Sequence, residues 1–120
     1  MPQIYGPEPT HDWCYYFERA DLAAQSGDWA SVSALGDQAL ALKDHPNDPL
    51  ERFVFIEGYA HQGSWQKALD LSNSSYKVSK VYMGPLLCRL WSQVAGTTGE
   101  SGDAAAAFAE VKRLYACPSE

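Results

Sequence analysis

From Asp12 to the C-terminal end, apolar side chains return every three or four positions, in runs broken by glycine or proline. Trp13, Tyr16, Phe17, Ala20, Ala23 and Ala24 make the first stripe, which stops at Gly27. Such spacing puts them on one face of an α-helix. Asp28 opens a second stripe, Trp29, Val32, Leu35, Ala39, Leu40 and Leu42, ended by the segment from Asp44 to Pro49. Asp48, Pro49 and Glu51 then follow the order of a capping box, with proline at the first helical position. Phe53, Ile56, Tyr59 and Ala60 line a third helix that stops at Gly63. Ser64 caps a fourth, carrying Trp65, Ala68, Leu69, Ser72 and Tyr76. Ser79 to Gly84 has no clear pattern, and Pro85 is placed in the first turn of a fifth helix with Leu87, Leu90, Trp91, Val94 and Ala95. Asp103 caps a sixth, with Ala107, Phe108, Val111, Leu114 and Tyr115 facing inward, and Cys117-Pro118 ends it. Strand-like alternation is absent, so the pattern predicts an all-α fold of about six helices in three antiparallel helix–turn–helix pairs.

The breaks between paired helices resemble one another. Gly27-Asp28-Trp29 returns as Gly63-Ser64-Trp65 and, more faintly, as Gly102-Asp103-Ala104. A glycine that takes the left-handed backbone, followed by a short oxygen-bearing cap, is what a tight corner between helices needs. The three glycines are 36 and 39 residues apart. Units of about 12–44, 48–80 and 84–117 follow, after an extended lead-in over residues 1–11 that carries Pro2, Pro7 and Pro9.

Aligned on the glycines, the chain resembles the tetratricopeptide repeat family, whose unit is about 34 residues. Eleven residues before them stand Tyr16, Arg52 and Trp91; seven before, Ala20, Ile56 and Ala95; four before, Ala23, Tyr59 and Thr98. Five residues after stand Val32, Ala68 and Ala107. Arg19, Arg52, Gly36 and Ser72 depart from the family's apolar preferences, and Pro46 falls late for its closing proline. The resemblance implies a short right-handed superhelix whose concave groove is lined by the first helix of each unit. That assigns to the groove Phe17, Asp21 and Gln25, then Phe53, Glu57 and His61, then Arg89, Ser92 and Glu100. It further implies a non-catalytic protein-interaction module for a partner protein or peptide, with a basic or aromatic anchor set against the groove's aromatics and carboxylates. The phrase from His11 to Glu18, with Ala20-Asp21-Leu22-Ala23 behind it, is also similar to soluble tails of bacterial polytopic membrane proteins of glycosyltransferase type. That likeness implies the alternative of an accessory domain serving positioning or dimerisation, with the proline-rich lead-in as a tether.

Composition narrows the partners. Net charge is −6, with 46% hydrophobic and 20% charged residues. That is ordinary for a globular domain and the wrong sign for general nucleic-acid binding. No apolar run approaches the roughly 20 residues of a membrane span, and the opening residues do not read as a secretory leader, so none is expected. A cytoplasmic location is expected, or alternatively a soluble domain tethered to a membrane protein. Asn73-Ser74-Ser75 matches a glycosylation sequon that such a location leaves unused. Cys14, Cys88 and Cys117 are odd in number and lack a Cys-x-x-Cys pair, so free buried thiols are expected, with neither a disulfide framework nor a metal site.

Candidate chemistry is sparse. Glu57 and His61, four residues apart, share a helix face, but no nucleophile or second ligand pair accompanies them. His11, Asp12 and Cys14 read as a helix start, and His45 as a loop residue. No cofactor, no metal and no enzymatic activity are expected. Trp13, Trp29, Trp65 and Trp91 read as core, with Trp29 and Trp65 wedged behind the corners. Lys77, Lys80 and Arg89 form a loose basic group around the fourth-to-fifth helix connection, a weak patch that the membrane-tail alternative would set against an anionic membrane surface. The small residues Ala104 to Ala107 offer a smooth surface that leaves a homodimer open.

Overall fold

The computed structural model describes residues 12–42, 49–99 and 102–118, all of them helical or connecting segments. Its elements are α1 (Trp13–Gln25), α2 (Trp29–Leu40), a 3-10 helix (Pro49–Arg52), α3 (Phe53–His61), α4 (Trp65–Tyr76), α5 (Lys80–Thr98) and α6 (Asp103–Tyr115). The lead-in over 1–11 with His11, the segment with Asp44, His45, Pro46 and Asp48, and Glu100 lie outside the described residues.

Two of the corners form as the sequence predicts. Gly27 and Gly63 take φ of 75° and 78°. The left-handed turn brings Asp28 N–H to the Ala23 carbonyl at 2.9 Å and Ser64 N–H to the Tyr59 carbonyl at 2.8 Å, the same closing bond at both. Asp28 caps α2, accepting from Ser31 N–H at 3.2 Å and Ser31 Oγ–H at 2.6 Å. Those bonds hold its carboxyl below the usual 3.8. Ser64 occupies the cap position of α4 without a side-chain bond to the helix.

Other boundaries differ from the sequence reading. Pro49 starts a 3-10 turn, and α3 begins only at Phe53. The Glu51 carboxylate accepts from Trp13 Nε1–H at 2.8 Å and so ties α1 to this turn. Helix α5 starts at Lys80, and Pro85 lies inside it, past the first turn. The proline costs one hydrogen bond, the one to the Val81 carbonyl, while Met83 and Gly84 in the extra turn are buried. At the other end α5 stops at Gly99, φ 84°, three residues before the predicted corner. Gly102, φ 60°, is the N-cap of α6, and Asp103 is its first residue. Gly99 follows Gly63 by 36 residues, so the interval from Gly27 to Gly63 is kept. Ala116, in the left-handed region at φ 52°, ends α6, ahead of Cys117.

The helices pack in chain order. α1 lies against α2 and α3, α2 against α3, α3 against α4 and α5, and α6 against α4 and α5. Gly36 and Ser72, departures from the family's preferences, are explained by what crosses them. A Cβ on Gly36 would stand 2.8 Å from Tyr59 Oη and 3.0 Å from Phe55 Cδ1, so the missing side chain is the space those rings fill. Gly58 meets α2 as closely, for a Cβ there would overlap Val32 Cγ1. Ser72 is fully buried, donates to the Ala68 carbonyl at 2.8 Å and accepts from Trp91 Nε1–H at 3.0 Å. Arg52 sits at the edge, with Nη1 3.5 Å from Ser74 Oγ and a buried Nε that has no hydrogen-bond partner.

Aromatic rings join the layers. Trp13 meets Phe55 edge-on at 5.4 Å, and Trp65, Trp91 and Phe108 form a cluster with centroids 5.7 to 6.2 Å apart. Trp13 and Trp91 are core as expected, whereas Trp29 and Trp65 are half-buried. Ala104 and Ala107 face inward and Ala105 and Ala106 outward, so the small-residue stripe is split between core and surface. The cysteine expectation is overturned: Cys88 and Cys117 are joined in a disulfide, and Cys14 is free but exposed. Spacing hid the pairing because the two residues meet only when α6 folds back along α5 and Ala116 turns the chain. No helix among the described residues is long and apolar enough to cross a membrane.

Candidate functional site

The residues assigned to a single groove fall into two groups. On α1 and α3, Gln25 Nε2–H donates to Asp21 Oδ2 at 3.4 Å, and Asp21 faces Glu57. Burial, and then the charge of Asp21, push the Glu57 carboxyl above its usual 4.5. Phe17 and Phe53 are half-buried and pack on the hydrophobic core. His61 is occupied by structure: its ring stacks on Trp29 at 4.2 Å with the planes 6° apart, and Nε2 stands 3.3 Å from Thr97 Oγ1. It thereby links the start of α2 to α3 and the last turn of α5. No set of three His, Cys, Asp or Glu among the described residues could hold a metal.

The His61 environment has a pH consequence. Burial lowers its imidazole below the usual 6.5. The unfolded chain therefore takes up this proton at a higher pH than the folded chain does, and His61 makes folding less favourable as pH falls through 6.5. Titration of the ring carbons by NMR is expected to give a midpoint below 6.5. A midpoint at or above that value would contradict the buried stack.

Arg89 and Ser92 belong elsewhere. They line an open groove of about 650 Å³ between α5 and α6, and none of the other six described residues assigned to the groove lines it. Its lining is mixed: Trp91, Phe108 and Val111 lie beneath it, each nearly fully buried, and Ala95 and Gly96 continue the trough beside the polar Arg89, Ser92 and Lys112. Pro85, the Cys88–Cys117 disulfide and Pro118 form one lip. Arg89 and Lys112, one from each helix, stand on the rim, both exposed and neither in an ion pair or hydrogen bond with a described residue. Two exposed cations with no partner among the described residues can hold a carboxylate at the mouth of the trough, the guanidinium in a two-point contact.

A second pocket, about 410 Å³, lies between α2 and α4. Its cation is already used: Lys67 Nζ bonds Asp37 Oδ1 at 3.1 Å, and Tyr59 Oη–H donates to the same oxygen at 2.8 Å. Burial and Asp37 raise the Tyr59 phenol well above its usual 10, so it remains a donor.

Sequence reasoning missed Lys112, Trp91, Phe108 and Val111 as groove residues. One signal pointed to this region: from residue 71 to residue 99 the chain has Lys77, Lys80 and Arg89 and no Asp or Glu, although it is acidic overall. Compared with protein-family models, with curated proteins and with solved structures, the chain finds no match in any of the three.

Proposed function

We propose that this chain is a non-catalytic protein-interaction module, built as a tetratricopeptide-like series of helix pairs, whose partner lies in the α5–α6 groove. The observation that carries the reading is the groove itself: a trough of about 650 Å³ with a mixed polar and apolar lining, rimmed by Arg89 and Lys112, neither paired with a described residue. The packing of the preceding pairs says what shape fits. The cleft beside α1 and α2 receives α3, with Phe55 and Tyr59 against Gly36. Likewise the cleft beside α3 and α4 receives α5, with Trp91 bonded to Ser72. The α5–α6 groove is the third such cleft, so a helix presenting a large apolar residue is the natural occupant. The rim charge turns the chemistry away from the basic anchor expected on Asp21 and Glu57, towards an acidic amphipathic helix.

Selection from a library of helix-forming peptides tests this. The wild-type chain is expected to enrich peptides with Asp or Glu flanking Leu, Phe or Trp. Arg89→Glu combined with Lys112→Glu is expected to bind the same peptides about tenfold more weakly or worse, in line with breaking charge-assisted contacts. Equal capture by the two proteins would remove the groove from the account.

One observation favours a second reading, an accessory domain held outside the cytosol by a membrane protein such as a glycosyltransferase-like one. The Cys88–Cys117 disulfide belongs to an oxidising compartment. Alkylation of cysteines in intact cells, followed by mass spectrometry, separates the two settings, since a cytosolic chain would carry label on both residues.

A further inference from the structure

The junction of α4 and α5 is a knob of exposed apolar side chains set among lysines. Val78 is 52% exposed, Val81 91% and Tyr82 59%, while Met83 and Gly84, next in the chain, are buried. Folding therefore uses one side of this turn and leaves the other to solvent. Lys77 and Lys80 alternate with the apolar residues, are exposed and hold no ion pair with a described residue. The knob also stands at one end of the helices, where α4 finishes, α5 begins and the 3-10 helix enters α3, with Arg52 beside Ser74. Around it the sequence from 71 to 99 is free of Asp and Glu, in a chain of net charge −6.

We propose that residues 77–82 are an interfacial anchor that docks this end of the molecule on a bilayer with anionic headgroups. Two features select the bilayer over a protein. The apolar side chains are few and protrude, where the centre of a protein interface is broad and depleted of lysine. Tyrosine at headgroup level with lysine beside it is the composition of the membrane interface. Val81 and Tyr82 enter the boundary between headgroups and acyl chains, and Lys77 and Lys80 meet the phosphates. The stretch from 71 to 99 brings no carboxylate to this surface, and Glu51, in the 3-10 helix at this end, is engaged by Trp13 Nε1–H. The anchor does not depend on the α5–α6 groove being a peptide site.

Flotation of the full 120-residue chain with vesicles tests the anchor. The chain is expected to float with phosphatidylglycerol-containing vesicles at low salt and to stay behind with pure phosphatidylcholine. Lys77→Glu with Lys80→Glu should weaken partitioning more than tenfold, about fivefold for each lost lysine before the added repulsion. Val81→Asp should weaken it severalfold. Leu22→Asp should float like wild type: Leu22 is 65% exposed, but it lies near the Gly27 corner, at the other end of α1 from the Trp13–Glu51 bond. All these positions are exposed, and unchanged melting curves would show that the variants fold. A wild-type chain that ignores anionic vesicles, or Val81 and lysine variants that float as well as wild type, would overturn the anchor and leave the knob to a protein partner.

Discussion

Replacing Trp91 by alanine is expected to destabilise the chain by about 3–5 kcal/mol, the range for removing a fully packed indole. Trp91 is 2% exposed and sits where three helices meet. Its ring touches Trp65 of α4 and Phe108 of α6, with centroids 6.2 and 5.7 Å away, and its Nε1–H donates to buried Ser72. Domains of this size are stable by about 5–15 kcal/mol, so the loss takes a large fraction of the total. Trp91→Phe isolates the hydrogen bond: most of the volume stays, and Ser72 keeps its own bond to Ala68. That variant is expected to cost well under half as much as alanine, with about 1 kcal/mol from the bond itself. Urea unfolding checks both, and an alanine variant within 1 kcal/mol of wild type would show that Trp91 does not join α4, α5 and α6.

Breaking the Cys88–Cys117 disulfide carries the second large effect. The bond closes a loop of 29-residue separation around the α5–α6 hairpin, for which chain entropy gives about 3.6 kcal/mol. For a domain of this size that is a fall of roughly 10 °C or more in Tm. Cys88→Ala with Cys117→Ala and chemical reduction of the wild type should shift Tm alike. The loss should be concentrated in α6, because the disulfide fixes the segment beyond Ala116 against α5. Calorimetry with and without reductant reads the shift, and amide exchange places it. An unchanged Tm would mean that α5 and α6 are held by packing alone.

How far the sequence carried depends on whether the deciding contact is local. Gly27 and Gly63 were legible because a helix that stops against a following cap needs a left-handed residue, and only the neighbours decide that. Gly99 was not. Two positive-φ glycines, Gly99 and Gly102, divide the work between ending α5 and starting α6, and Asp103 beside Gly102 gave the stronger local sign. Pro85 misled for the same reason: as a local signal it starts helices, but burial of Met83 and Gly84 pulled the start of α5 back to Lys80. Gly36 and Ser72 read as weak positions until the rings that cross them were in view. These are tertiary facts, fixed by Phe55, Tyr59 and Trp91 arriving from another helix.

The site divided along the same line. Asp21 and Gln25, four residues apart on α1, are hydrogen-bonded, and Asp21 faces Glu57 of α3, while Arg89 and Ser92 line a groove. Spacing could not tell that these are different surfaces, nor that Phe17, Phe53 and His61 are taken up by packing. Lys112, Phe108 and Val111 come to the groove from α6, and Cys117 closes one lip of it only after the chain has turned at Ala116.

The account turns on the α5–α6 groove, and chemical-shift mapping tests it most directly. The nitrogen-15-labelled chain would be titrated with an acidic amphipathic peptide that carries leucines at helical spacing. The groove predicts that perturbations gather on Arg89, Ser92, Lys112 and the Trp91 indole, with little change at Asp21, Gln25 and Glu57. Perturbations centred on Asp21 and Glu57, or none at peptide concentrations into the millimolar range, would contradict it.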